Sequence, residues 1–146
     1  MSAKPIAIAS DHAGFDLKAI LKKEMEKMGF DVLDLGTDST ESVDYPDFAD
    51  ALANAIRRGE AERGVLVCGS GLGISMAANR YPELRAAPCH DAEWARLARQ
   101  HNDANVLALG ARLIDADAAK ACLKTFLETP FDGGRHVRRV QKLSTR

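Results

Sequence analysis

Apolar positions in this chain switch repeatedly between short β-rich runs and longer stretches with helical spacing. "PIAIAS" (5–10) reads as a first strand, and Leu17, Leu21, Met25 and Met28 then line one helical face. Gly29 is placed to end that helix. "DVLDL" (31–35) reads as a second strand, followed by a polar loop, "GTDSTESVDYP" (36–46), and a helix over 47–58. "GVLVC" (64–68) is a continuous apolar run, as expected of a strand buried on both faces. A short helix over 71–79 and a weaker strand, "LRAAP" (84–88), come next. Asp91 can cap a helix running to about His101, "NVLAL" (105–109) is a fifth strand, and 115–127 is helical. "PFDGG" (130–134) breaks the chain before a last basic helix at about 135–143. Strand and helix alternate five times without a linker, which predicts an α/β fold: a five-stranded parallel sheet with helices on both faces. In the common strand order 2-1-3-4-5, ligands bind beyond the carboxyl ends of strands 1 and 3, where the order reverses.

Composition narrows the class. The 146 residues, 46% hydrophobic, suit one domain spanning 1–146 with a substantial core. A net charge of -1 argues against a general nucleic-acid binder. No apolar run approaches the roughly 20 residues needed to span a bilayer. The first eight residues are too short and interrupted for a secretory signal, so no membrane partner is expected. The three cysteines, Cys68, Cys89 and Cys122, are odd in number and form no CxxC pair, so a reducing cytoplasm is the expected location.

The chemistry concentrates in two loops that the expected topology brings together. The loop after strand 1 is "SDHAG", with Asp11 and His12; the loop after strand 3 is "CGSGLG". Gly69, Gly71 and Gly73 permit tight turns, and their N–H groups, with those of Ser70 and Leu72, could face an anion; a plain tight turn is the other reading. Cys68 can be a buried strand-end residue. At a helix N-terminus it can instead be a reactive thiolate, poised to take a proton next to a carbonyl while amides hold the oxygen charge that develops. Asp11 and His12 can cap the first helix or serve a site. His101 and Asn102 close the fourth helix, where a histidine complements the dipole. That helix returns from the top of the sheet to the bottom, so His101 joins Cys68 only if a second subunit supplies it. Arg135, Arg138 and Arg139 form a solvated basic tail, or Arg135 and Arg139, four apart on one helical face, clamp a phosphate that Arg112 could join. The four histidines have no metal-ligand spacing; Cys89, His90 and Cys122 read as structural, and Trp94 as packing.

The blocks "SDHAG", "DYPDFA", "GVLVCGSGLGISMAANR", "RQHNDANVLALGAR" and "GGRHVRRV" together resemble the type B ribose-5-phosphate isomerases. That family includes subunits of galactose-6-phosphate and allose-6-phosphate isomerases. The resemblance implies a Rossmann-like three-layer α/β/α sandwich, aldose–ketose isomerisation of a sugar phosphate, no metal or organic cofactor, and a homodimer or homotetramer with sites shared between subunits. By the same resemblance Cys68 is the base, Ser70 assists the hydroxyl or the reprotonation, and Gly69, Gly71 and Gly73 hold the enediolate oxygen. His101 of a neighbouring chain opens the sugar ring, Asn102 and Asp11 contact the sugar, and Tyr45 lines its pocket. His12, Arg135 and Arg139 take the phosphate, with Arg112 and His136 as further members. One branch of the family replaces the cysteine by a glutamate just after the glycine loop. Ile74 occupies that neighbourhood here, which favours the cysteine branch. The expected substrate is ribose 5-phosphate. A six-carbon sugar phosphate is the alternative, and a non-catalytic phosphosugar-binding module stands behind both.

Overall fold

The computed structural model describes residues 3–145. The domain read from the sequence as 1–146 extends beyond them by Met1, Ser2 and Arg146. In chain order the elements are β1 (Ile6–Ser10), α1 (Phe15–Lys27), β2 (Val32–Asp34), α2 (Tyr45–Arg57), β3 (Arg63–Cys68), α3 (Leu72–Ala78), β4 (Ala86–Pro88), α4 (Ala92–Asn102), β5 (Val106–Gly110), α5 (Ala116–Glu128) and α6 (His136–Ser144). All strand pairs are parallel, and the sheet order is β2-β1-β3-β5-β4.

Strand alternation makes the three layers. Ile6 and Ile8, Val65 and Val67, and Leu107 and Leu109 point to one face, where α1, α4 and α5 cover them with Leu17, Leu21, Ala95, Leu123 and Phe126. Ala7, Ala9, Leu66, Cys68, Val106 and Ala108 point to the other face, covered by α2 and α3 through Leu52, Ala53, Ile74 and Ala78. This is the Rossmann-like α/β/α arrangement that the alternation predicts.

The observed order corrects the expected 2-1-3-4-5. The fourth strand lies outside the fifth rather than inside it. β4 has only three residues and ends in Pro88, which has no N–H for a second neighbour, so it suits an edge. β5 is buried along its whole length and suits the interior. The switch point between β1 and β3 is as expected, but the other neighbour of β3 is β5. The loop after β3 is therefore flanked by the loops after β1 and β5.

One buried ion pair braces this edge of the sheet. Lys18 on α1 donates from Nζ to Asp34 Oδ1 at 2.6 Å, with its side chain only 4% exposed. The same oxygen accepts the Gly36 N–H at 3.0 Å, and the Gly36 carbonyl accepts the N–H of Ser10, the residue before Asp11. Burial alone would raise the Asp34 carboxyl. The hydrogen bonds from Lys18 and Gly36, with the charges of Lys18 and Lys22, hold it below the ordinary carboxylate range. A depressed carboxyl contributes stability above its unfolded-state pKa and loses that contribution as pH falls through the folded value. Asp34→Ala is expected to cost about 2 kcal/mol or more, because it strands the Lys18 ammonium; partial exposure of Asp34 keeps this below the full cost of breaking a deeply buried pair. Urea unfolding measures it: at neutral pH the variant's midpoint falls, and below the carboxylate range the gap to the parent narrows.

Candidate active site

The connections leaving β1, β3 and β5 meet at the carboxyl edge of the sheet. Cys68, the last residue of β3, is 4% exposed, and its Sγ accepts a hydrogen bond from the Gly71 N–H at 3.2 Å. The thiol still opens on a cavity of about 440 Å³ lined by Asp11, Tyr45, Cys68, Gly69, Ser70, Gly73, Arg112 and Leu113. A second recess of about 450 Å³, along Arg80, Tyr81, Arg85, Asn102 and Leu143, is lined by no cysteine, serine or histidine.

The glycine loop is held by close backbone contacts. Gly71 has φ +80°, a conformation that disfavours a side chain. The loop after β5 clamps it from the side: Ala111 N–H donates to the Cys68 carbonyl at 2.8 Å, and Arg112 N–H to the Gly69 carbonyl at 3.0 Å. At Gly110 a Cβ would come within 2.5 Å of the Ser70 backbone, so only glycine permits this approach. Arg112 consequently lies with its guanidinium against Gly69, and the Tyr45 ring lies against Gly73. Two of the expected anion donors are already engaged: Gly71 N–H by the Cys68 sulfur, and Leu72 N–H by Ser70 Oγ at 3.2 Å.

Asp11 braces the turn into α1 and borders the cavity. It is 6% exposed, its Oδ1 accepts the Gly14 N–H at 3.1 Å in the turn entering α1, and it also lines the cavity. His12 Nδ1 accepts the Val43 N–H at 3.1 Å, so its neutral ring carries the proton on Nε2. Ile74 is fully buried and unavailable for chemistry.

The remaining residues named from the sequence form a second group elsewhere. His101 and Asn102 end α4, Arg135 precedes α6, and His136 and Arg139 lie in its first turns. The rings of His101 and His136 stack, with centroids 4.6 Å apart and planes 13° from parallel. None of these five residues lines the Cys68 cavity. Asn102 lies just before Asn105, whose carbonyl accepts the Gly64 N–H near the amino end of β3. Cys68 is at the other end of that strand, about 13 Å away at the usual rise per residue. Within one chain, His101 is therefore remote from the thiol, as the connectivity required. Burial first, then the charges of His101, Arg135 and Arg139, outweigh Asp132 and lower the proton affinity of His136.

Burial pushes the other two thiols up, Cys89 to about 12 and Cys122 to about 11, so both stay protonated and inert at neutral pH. Trp94 corrects the sequence reading: it is 51% exposed against His90 rather than packed in a core. Leu72, Met76 and Leu113 are at least as exposed. Leu113, a cavity residue, was missed because an isolated leucine after a strand reads as packing. No helix among the described residues is long and apolar enough to cross a membrane.

The family model for ribose/galactose isomerases matches residues 6–143. Ribose-5-phosphate isomerase B of Escherichia coli is 43% identical over 141 residues, which cover 97% of this chain and 95% of the relative. D-erythrulose-4-phosphate isomerase of Pectobacterium atrosepticum is 42% identical over 139 residues, covering 94% and 91%. A crystal structure of ribose 5-phosphate isomerase from Thermotoga maritima superposes with a TM-score of 0.96 at 52% identity, covering 99% of this chain and all of that one. Both groups of residues lie inside the matched region, and the match extends over sequence and backbone alike: the chain belongs to the ribose/galactose isomerase family and is an aldose–ketose isomerase.

Proposed function

We propose that this enzyme interconverts ribose 5-phosphate and ribulose 5-phosphate, a reaction of pentose phosphate metabolism, with Cys68 as the base. The observation that carries this reading is the thiol at the end of β3, opening on a cavity that also presents the Asp11 carboxylate, the Ser70 hydroxyl and the Arg112 guanidinium.

The working site takes residues from two copies of the chain. One copy supplies Asp11, His12, Tyr45, the loop from Cys68 to Gly73, and Arg112. The other supplies His101, Asn102, Arg135, His136 and Arg139, too far from Cys68 in their own chain to act on the same molecule. The exposed apolar side chains Leu72, Met76, Trp94 and Leu113 support a covered face near the cavity.

His101 opens the furanose ring by taking the anomeric hydroxyl proton and delivering it to the ring oxygen as the bond from C1 to that oxygen breaks. The Cys68 thiolate then removes the hydrogen from C2. The C–H electron pair forms a C1–C2 double bond, and the carbonyl pair moves onto O1. Free loop amides meet that oxygen charge, and the Ser70 hydroxyl passes a proton from O2 to O1. Cys68 returns its proton to C1, leaving a C2 ketone. The arginines and His12 hold the phosphate, and its binding energy orients the reacting end.

Relatives of 43% and 52% identity named for ribose 5-phosphate favour the pentose. The Pectobacterium relative, named for a four-carbon sugar at 42%, shows that identity alone does not choose the sugar. Incubation with four-, five- and six-carbon sugar phosphates in deuterium oxide, followed by NMR, tests the assignment. Ribulose 5-phosphate with deuterium at carbon is expected from ribose 5-phosphate. Faster turnover of a four- or six-carbon substrate would overturn the pentose assignment.

A further inference from the structure

Among the described residues, and away from the Cys68 cavity of the same chain, another group of chemically active side chains converges. His101, Asp132 and His136 each offer a ligand atom, and these three atoms all lie within 4.8 Å of one another. We propose that they form a binding site for a transition-metal dication of the zinc class at the junction of α4 and α6.

The backbone holds the three ligands together before any ion arrives. Asp132 N–H donates to the Gln100 carbonyl at 3.1 Å, which ties the segment before α6 to the last turn of α4, beside His101. His136 N–H donates to the Gly133 carbonyl at 3.2 Å, closing the turn that presents its ring. The two imidazoles stack nearly parallel, so their edges lie side by side. Zinc bonds of about 2.0–2.2 Å to nitrogen and oxygen bring tetrahedral ligand atoms to about 3.3 Å apart. The required contraction falls on side-chain rotations: Asp132 is exposed, and neither ring is fully buried.

Ligand type and charge fit the same class of ion. Two imidazoles and one carboxylate suit zinc, cobalt or nickel better than calcium or magnesium, which favour all-oxygen sites. Arg135 and Arg139 oppose a cation. The Asp132 carboxylate and the partial negative charge at the carboxyl end of α4 offset part of that repulsion. Three protein ligands leave a fourth position open to water or an anion.

The regulatory consequence, which rests on the proposed role of His101, is inhibition. A bound ion occupies the imidazole that opens the sugar ring. The site itself does not depend on that role.

Titration with zinc chloride by calorimetry in phosphate-free buffer at neutral pH, and with cobalt(II) by visible absorption, tests the site. One ion per chain is expected. Asp132→Asn and His136→Gln should each weaken binding by about tenfold or more, while Cys68→Ala leaves it unchanged. Zinc should inhibit the parent reversibly by chelator, and Asp132→Asn should keep its turnover at zinc concentrations that silence the parent. Absence of saturable binding, indifference to Asp132→Asn and His136→Gln, or loss of binding in Cys68→Ala would each overturn the site. The last outcome would place the ion on the thiol. Binding without inhibition would uphold the site and contradict ring opening by His101.

Discussion

Cys68→Ala should lower kcat by about 10²–10⁴-fold while leaving sugar-phosphate affinity nearly unchanged, the loss expected when a general base is removed. The structure makes the experiment clean. The loop that presents the thiol is held by Ala111 N–H on the Cys68 carbonyl and Arg112 N–H on the Gly69 carbonyl, and both bonds survive loss of the side chain. The change leaves the Gly71 N–H without its sulfur acceptor, but the position opens on the cavity, where water can replace it. Cys68→Ser retains an acceptor for that N–H and should still be nearly inactive, because a serine hydroxyl ionises far less readily than a thiol. Separating kcat from KM distinguishes a lost base from lost binding. A variant whose KM rises at unchanged kcat would mean that Cys68 only shapes the cavity.

The second large effect is a recovery. Cys68→Ala and His101→Ala chains should each be nearly inactive alone. Mixed and allowed to exchange, they should regain activity, because one site of the mixed dimer has both groups intact. With random pairing at equal amounts, half the dimers are mixed and each has one good site of two, so about a quarter of parental activity is expected. The basis is the distance along β3 between its amino end, where α4 delivers His101 and Asn102, and its carboxyl end, where Cys68 sits. Differently tagged chains report whether mixed dimers form. Mixed dimers without recovery would place His101 and Cys68 in separate functions.

The fold was legible where burial is continuous. β1, β3 and β5 are apolar over most of their length, and each stands within a residue or two of its sequence reading. Strand order was not legible from periodicity, because pairing depends on which strand can be covered on both edges. Pro88 was the available sign that β4 belongs outside. The thiol, its glycine loop and Asp11 were readable because each follows directly from a strand end. Arg112 joins them because β5, rather than β4, neighbours β3. Three features were beyond a linear reading. Lys18 and Asp34 lie on different elements with no pairing signal in the sequence, yet pair in a largely buried position. Gly110 gave no hint that it must admit the Ser70 backbone. His101 ends α4 while Asp132 and His136 lie together near the start of α6, so no local ligand spacing announces the convergence of all three.

Loss of deuterium from carbon 2 of labelled ribose 5-phosphate into water isolates the step assigned to Cys68. Comparing the parent with Cys68→Ala, with calorimetric binding measured on the same samples, separates hydrogen transfer from substrate capture. The expected result is steady washout by the parent and washout in Cys68→Ala reduced in proportion to its kcat, at matching affinity. Washout from Cys68→Ala at the parental rate would show that another group takes the hydrogen.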